Sequence, residues 1–287
     1  MLAAAVLALA AALVPATAAQ AAPTRSDSNT ERVYFIHGYD IDGTTPGVNC
    51  STYWSDALSV MRTIGGGWAG GLHTVAYYAG DTNCSVRSSS AGRNTPIESL
   101  GRDLAWMIYN RDTRYGRSVD VVGHSMGGLI IRAALSGVEA KNVNYPPALY
   151  VEDVVTLATP HHGTPWYSAI CQTTQCKDMF PNSFLMQWLH QGPQSTQGTD
   201  WTLTGSYGDG IVDEASAVAW DNNRIDYNIG HRHKYPQGIN HATIIHTTGG
   251  VYTVESWHHY ARTWKTTTAG WAALVGMRWG LYYWSRE

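Results

Sequence analysis

The sequence predicts an α/β fold, a mostly parallel sheet covered by helices on both faces. Three observations carry this. Apolar runs alternate along the chain with stretches at helical spacing. One of them, "VDVVGHSMGGLIIRA" (119–133), passes from a β-branched run through a glycine-flanked serine straight into a helical pattern. Nothing repeats at a solenoid period, so the 287 residues are read as one large core rather than an array.

The elements follow in order. An apolar stretch from Leu2 to Val14 is uncharged up to Thr24 and leads to Ala19-Gln20-Ala21. It is too short to span a bilayer and has the small-residue pattern of a signal-peptidase site, so residues 1–21 are expected to be a secretory signal and the protein extracellular. Residues 22–30 read as a flexible N-terminal segment and 31–287 as a single domain. Within it, strands are expected at 32–36, 73–79, 118–122, 151–159, 200–205 and 224–230, with helices at 52–62, 97–110, 125–137, 183–190 and 213–220. Residues 165–199 form a long connection with the character of a lid, and 249–287 a Trp-rich helical extension packed on the sheet. In such sheets ligands gather beyond the carboxyl ends of the strands.

Composition narrows the partners. A net charge of -3 with scattered basic residues gives no footprint for nucleic acid, and no polybasic cluster marks an anionic membrane. Four cysteines in an exported chain favour disulfides over metal. Cys171 and Cys176 are close in sequence, which leaves Cys50 with Cys84. No metal site is expected: His161 and His162 point apart on an extended segment, and Asp40-Ile-Asp42-Gly lacks the later acidic ligands of a calcium loop.

The serine carries the chemistry. A strand that turns sharply into a helix strains the residue at the turn, and only glycines two positions away avoid collision there. Gly123 and Gly127 flank Ser125 in this way, with His124 packed beneath. The helix that begins after Ser125 aims unpaired amide N–H groups and its positive dipole end at the same place, where an oxyanion is stabilised.

These residues resemble the α/β-hydrolase family, most closely small secreted bacterial lipases and esterases. The likeness runs from "VYFIHG" (33–38) to "GINHATII" (238–245), through "TLATPHHGTP" (156–165) and "MFPNSFLMQWL" (179–189). It implies oxyanion donors at the backbone N–H groups of Tyr39 and Met126, an acid after a later strand, and a histidine after the last. Asp209 stands in a tight Gly-Asp-Gly loop past the 200–205 strand, in the Asp-x-x-Val setting of the family; Asp213, the alternative, reads as a helix cap. His241, in the Gly-x-x-His setting, is the expected base and His246 its rival. His37 is expected to orient the oxyanion loop, and His231, His233, His258 and His259 read as surface or packing residues.

The expected activity is hydrolysis of carboxylic esters by Ser125, His241 and Asp209, without cofactor, by a monomer acting on lipid or other ester substrates. An acyltransferase or amidase on the same residues is one alternative. A non-catalytic, aromatic-rich secreted binding protein on the same scaffold is another, since the chain holds 12 Trp and 17 Tyr against 3 Phe.

Overall fold

A computed structural model describes residues 21–42, 44–165, 171–220 and 228–283. The expected signal segment therefore lies, except for its last residue, outside the described residues.

The sheet has nine strands: β1 (Arg32–Ile36), β2 (Leu72–Tyr78), β3 (Val86–Ala91), β4 (Val119–His124), β5 (Val151–Leu157), β6 (Asp200–Ser206), β7 (His231–Tyr235), β8 (Tyr252–His258) and β9 (Thr263–Gly270). Their spatial order is β3-β2-β1-β4-β5-β6-β7-β8-β9. All neighbours up to β7 pair in parallel, and β7-β8 and β8-β9 pair antiparallel. From β1 the chain winds one way to β2 and β3, then returns to lay β4 on the other side. That reversal opens a crevice at the carboxyl ends of β1 and β4, where open α/β sheets bind ligands.

Strand alternation divides the core in two. Tyr34 and Ile36 of β1 face one cluster, with helices α3 (Ile97–Arg111) and α4 (Met126–Glu139) above them. Val33 and Phe35 face the other, covered by α2 (Ser55–Thr63) and a C-terminal helix, α8 (Ala273–Gly280). Both faces of the middle strands are buried, which is why β4 and β5 are rich in valine, although Asp120, Glu152 and Asp153 are buried with them. The remaining helices are short: α1 (Cys50–Tyr53), α5 (Thr174–Asp178), α6 (Phe184–Trp188) and α7 (Glu214–Ala217).

Three expectations need correction. The 224–230 strand falls partly outside the described residues, and 228–230 are not strand; the strand is His231–Tyr235, "HRHKY". Its polar sequence hides it, because burial here depends on partners far along the chain. Arg232 is fully buried with its guanidinium carbon 4.3 Å from the centre of the Trp257 ring, and Lys234 Nζ lies 4.9 Å from that of Trp264. The 249–287 extension is mainly a β-hairpin, β8-β9, that widens the sheet before α8. Finally, residues 22–30 are tied down rather than free. Ser26 N–H donates to the Glu152 carboxylate, and the Asn29 carbonyl accepts from Ala69 and Gly70 at 2.8 Å and 2.9 Å.

Candidate active site

Ser125 stands between β4 and α4 with φ 54° and ψ -129°, a region that L-residues occupy only when their surroundings enforce it. Three hydrogen bonds do so. Its N–H donates to Leu157 O at 2.9 Å, and its carbonyl accepts from Thr159 Oγ1 at 2.9 Å and Gly128 N at 3.1 Å. The flanking glycines are required by contact: a Cβ on Gly127 would lie 2.1 Å from Ile36 O, and one on Gly123 2.6 Å from Gly128 Cα. Helix α4 can thus start hard against β1 and aim its first N–H groups, Met126 among them, at the crevice.

His241 follows β7 through a loop, and Asp209 follows β6. The structure brings both to the serine: His241 Nε2 is 2.9 Å from Ser125 Oγ, and Nδ1 is 2.8 Å from Asp209 Oδ2. The other carboxylate oxygen of Asp209 accepts from Ile211 N at 2.8 Å and Val212 N at 2.9 Å, so its orientation is fixed. With Nδ1–H donating to a carboxylate, Nε2 is left to accept the serine proton. The alternatives lie elsewhere. His246 Nδ1 is bound to Asp56 at 2.8 Å, half exposed, and Asp213 caps α7 by accepting from Ala215 N at 2.9 Å.

His124 does more than pack. Its Nε2 is 2.9 Å from the carbonyl of His241, and its Nδ1 2.5 Å from the Tyr53 hydroxyl, which also accepts from Gly38 N at 3.0 Å. A carbonyl only accepts, so Nε2 carries the proton and Nδ1 receives the Tyr53 O–H. Burial holds the His124 pKa well below the usual imidazole range, and the neighbouring His241 pushes it the same way. Burial also raises the Tyr53 phenol, which keeps its proton. A neutral relay thus joins the loop after β1, the elbow and the histidine loop.

The Gly38–Tyr39 peptide is set from behind. Its carbonyl accepts from Tyr77 Oη at 2.5 Å and from His37 Nδ1 at 2.9 Å, while His37 Nε2 meets Asp81 Oδ2 at 3.0 Å. Because a trans peptide holds its C=O and N–H antiparallel, the Tyr39 N–H points away from His37. Burial alone would raise the Asp81 carboxyl, but the His37 bond and backbone N–H donors outweigh it and lower the pKa.

Both disulfides serve this edge. Cys50–Cys84 fixes the start of α1, the helix that presents Tyr53. Cys171–Cys176 lies beside Tyr39, whose hydroxyl is 3.5 Å from Cys171 Sγ and 3.1 Å from Thr173 Oγ1. Tyr53, Tyr77 and Asp81 were not legible in the sequence. Nothing marks a tyrosine in a short helix as reaching a site formed by other strands. His161 is buried and bonded to Thr156 Oγ1 at 3.0 Å, and the His162 N–H donates to Ser216 Oγ.

The doubly covered, mostly parallel sheet, with a strained serine at the strand-helix junction, defines an α/β-hydrolase fold. A family model, the PGAP1-like alpha/beta domain, matches residues 103–264. The chain belongs to that family. No curated protein matches the sequence significantly. Among solved structures it is similar to phospholipase PlaB from Legionella pneumophila in complex with thio-NAD: 15% identity over 66% of this chain and 44% of that one, TM-score 0.44. Lipase B of Aspergillus fumigatus gives 15% identity, 76% and 49% coverage, and a TM-score of 0.47. The mature Bacillus licheniformis lipase BlEst2 gives 16%, 68% and 82%, and 0.41. The chain spans less than half the length of the first two, and likeness at this level says nothing of substrate.

Proposed function

We propose that this protein is an exported serine hydrolase that cleaves carboxylic esters through an acyl-enzyme. One observation carries the reading: the unbroken relay Asp209–His241–Ser125, with both bonds of the imidazole below 3 Å. In the reaction His241 Nε2 takes the Ser125 proton as Oγ bonds to the acyl carbon, and the N–H groups of Tyr39 and Met126 receive the oxyanion. Collapse breaks the C–O bond to the leaving alcohol, which departs with the proton from His241. Water, deprotonated by the same nitrogen, then frees the acid and restores Oγ–H. Asp209 holds the tautomer and balances the transient imidazolium. His124, kept neutral, adds no repulsion to that cation.

Export is supported by the two disulfides. Among the described residues no helix is long and apolar enough to cross a membrane.

Substrate class rests on the connection after β5. Trp166 and Tyr167 lie outside the described residues. Of the rest, Met179, Leu185 and Leu189 pack into the core, while Phe180 and Phe184 remain 45% and 78% exposed. Arg132 of α4 pins the segment by donating to His190 O at 2.6 Å and His161 O at 2.7 Å, and the small disulfide limits its swing. The reading is therefore at most a small lid and a preference for medium to long acyl chains. The test is labelling by a fluorophosphonate probe, followed by a p-nitrophenyl ester series from acetate to palmitate and emulsified triglyceride. Labelling that disappears in Ser125→Ala supports the hydrolase, and folded protein that never labels refutes it. A kcat/KM peak at acetate with untouched emulsions replaces the lipase by a short-chain esterase.

A further inference from the structure

His37 directly follows β1 and is fully buried, and both of its ring nitrogens face acceptors. Nδ1 is 2.9 Å from the Gly38 carbonyl and Nε2 3.0 Å from Asp81 Oδ2. A carbonyl accepts and never donates, so Nδ1 carries a proton. The charge of the ring then turns on one further proton, the one shared between Nε2 and Asp81.

The surroundings of Asp81 place that proton. Oδ2 also accepts from the N–H groups of Tyr77 and Tyr78, both at 2.8 Å, and Oδ1 accepts from Val48 N at 2.8 Å. A carboxyl that receives two or three backbone N–H groups is held strongly in its ionised form. Burial works against this, but the His37 bond and the backbone donors outweigh it and lower the Asp81 carboxyl. With Asp81 ionised, the proton sits on Nε2 and the imidazole holds two. Tyr77 favours the same state: its ring centre lies 4.2 Å from that of His37 with the planes 15° apart, and the face of a phenol attracts a cation. The other neighbours carry no competing charge. Tyr53 and Tyr78 stand with ring centres at 5.7 Å and 5.8 Å, and His124 lies beyond Tyr53. Burial keeps the three phenols protonated and His124 neutral. Asp40, farther along the loop, is engaged by Gly47 N at 2.7 Å and Arg93 at 3.7 Å. Among these groups Asp81 is the anion that His37 meets.

We propose that His37 is a resident imidazolium, paired with Asp81, that strengthens the Tyr39 N–H as an oxyanion donor. This rests on the reading of Ser125 as nucleophile and of the Tyr39 N–H as part of the oxyanion hole. The ion pair is neutral as a whole, with its positive end at the Gly38 carbonyl. A charged donor on that oxygen polarises the peptide, so the N–H at its other end donates more strongly. The charge is in place before substrate arrives, and nothing has to reorganise as the oxyanion forms. His37 acts through the peptide and is a positioning residue.

The test reads the charge directly. In the whole protein labelled with 15N-histidine, long-range 1H–15N spectra at about pH 8, where a free imidazole is largely neutral, should show protons on both ring nitrogens of His37, assigned through its backbone. A His37 with one ring proton would overturn the proposal. Turnover of one p-nitrophenyl ester is then compared in Asp81→Asn, which removes the counter-charge, and Tyr77→Phe, which deletes a neutral bond to the same carbonyl. The proposal expects His37 to be neutral in Asp81→Asn and kcat to fall about tenfold or more with KM nearly unchanged, against about threefold for Tyr77→Phe, because charge-assisted bonds exceed neutral ones. Equal losses would reduce His37 to an ordinary hydrogen bond and overturn the role of its charge. If Asp81→Asn fails to fold, His37→Asn, which keeps a donor near the Nδ1 position without the charge, replaces it with the same expected loss of kcat. Protein that shows the imidazolium yet never labels with a fluorophosphonate would overturn this role together with the hydrolase reading. A neutral His37 in protein that does label would overturn this proposal alone.

Discussion

Past the carboxyl end of β7, His241 engages partners with both ring nitrogens, at 2.8 Å and 2.9 Å; at the amino end of the same strand, His231 and His233 pack against His258 and Trp271. The first end is cross-linked and wired. Its two disulfides secure the pieces that surround Ser125, and the Tyr53–His124 relay ties three loops together. The second end is held mainly by aromatic packing, with Ser256 Oγ 3.0 Å from His233 Nδ1. Pre-positioned groups that must act without rearrangement need the first construction, whereas side chains that fill space tolerate the second. The same residue type therefore takes two roles, set by what its ring nitrogens face.

The contrast breaks first at the base. His241→Ala should lower ester turnover by roughly 10⁴- to 10⁶-fold, while His246→Ala, which loses only its exposed bond to Asp56, should stay within about threefold. Purified variants assayed on one p-nitrophenyl ester decide it, and the reverse ranking would move the base to His246.

Cross-linking is the next difference. The Cys50–Cys84 bridge spans 34 residues, so replacing both cysteines by alanine should cost about 2–4 kcal/mol in urea unfolding. The Cys171–Cys176 bridge, with a separation of 5, should cost less. Equal losses would mean that native strain rather than loop closure sets the stabilisation.

The wiring itself is tested by Tyr53→Phe, which deletes the acceptor for Gly38 N–H and the donor to His124. Since it disturbs positioning and removes no reacting group, kcat should fall about tenfold with KM nearly unchanged. Unchanged kcat would reduce the relay to packing.

At the amino end of β7 the difference is one of pH. His233 is neutral in the folded protein down to about pH 3 but takes up a proton near pH 6.5 when unfolded. Between those values the unfolded state binds the extra proton, so stability falls as pH falls. His233→Asn should remove up to about 1.4 kcal/mol per pH unit of that slope. Asp200 and Glu152, pushed up to about 7 by burial, act in the opposite sense, so the measurement is the difference between urea-unfolding profiles of the two proteins from pH 6.5 to 4. Parallel profiles would show that His233 is solvated in the native state.

Much of the fold was legible because it rests on local signals. The apolar runs of β1, β4 and β5, the glycine spacing around Ser125 and the Gly-Asp-Gly loop at Asp209 each reflect a constraint acting within a few residues. The same holds for the choice of Ser125, Asp209 and His241, the three side chains that the structure brings together. The N-terminal segment was misread because its hydrogen bonds go to residues such as Glu152, far away in the chain.

By itself, then, the sequence determined the doubly covered sheet, the strained elbow and the residues able to meet there, since backbone sterics and hydrophobic period are properties of neighbours. Only the tertiary structure decided that "HRHKY" is a buried strand. Hydropathy assigns such a stretch to water, and burial becomes tolerable when Trp257 and Trp264 supply aromatic faces for Arg232 and Lys234, Val218 O accepts from Arg232, Glu214 pairs with Lys234 and the imidazoles remain uncharged. It also decided that Tyr53, 71 residues before His124 and marked by no motif, closes the relay behind His241. Hydrogen bonds between distant elements have no period to read; they exist once the strands have fixed which ends lie side by side.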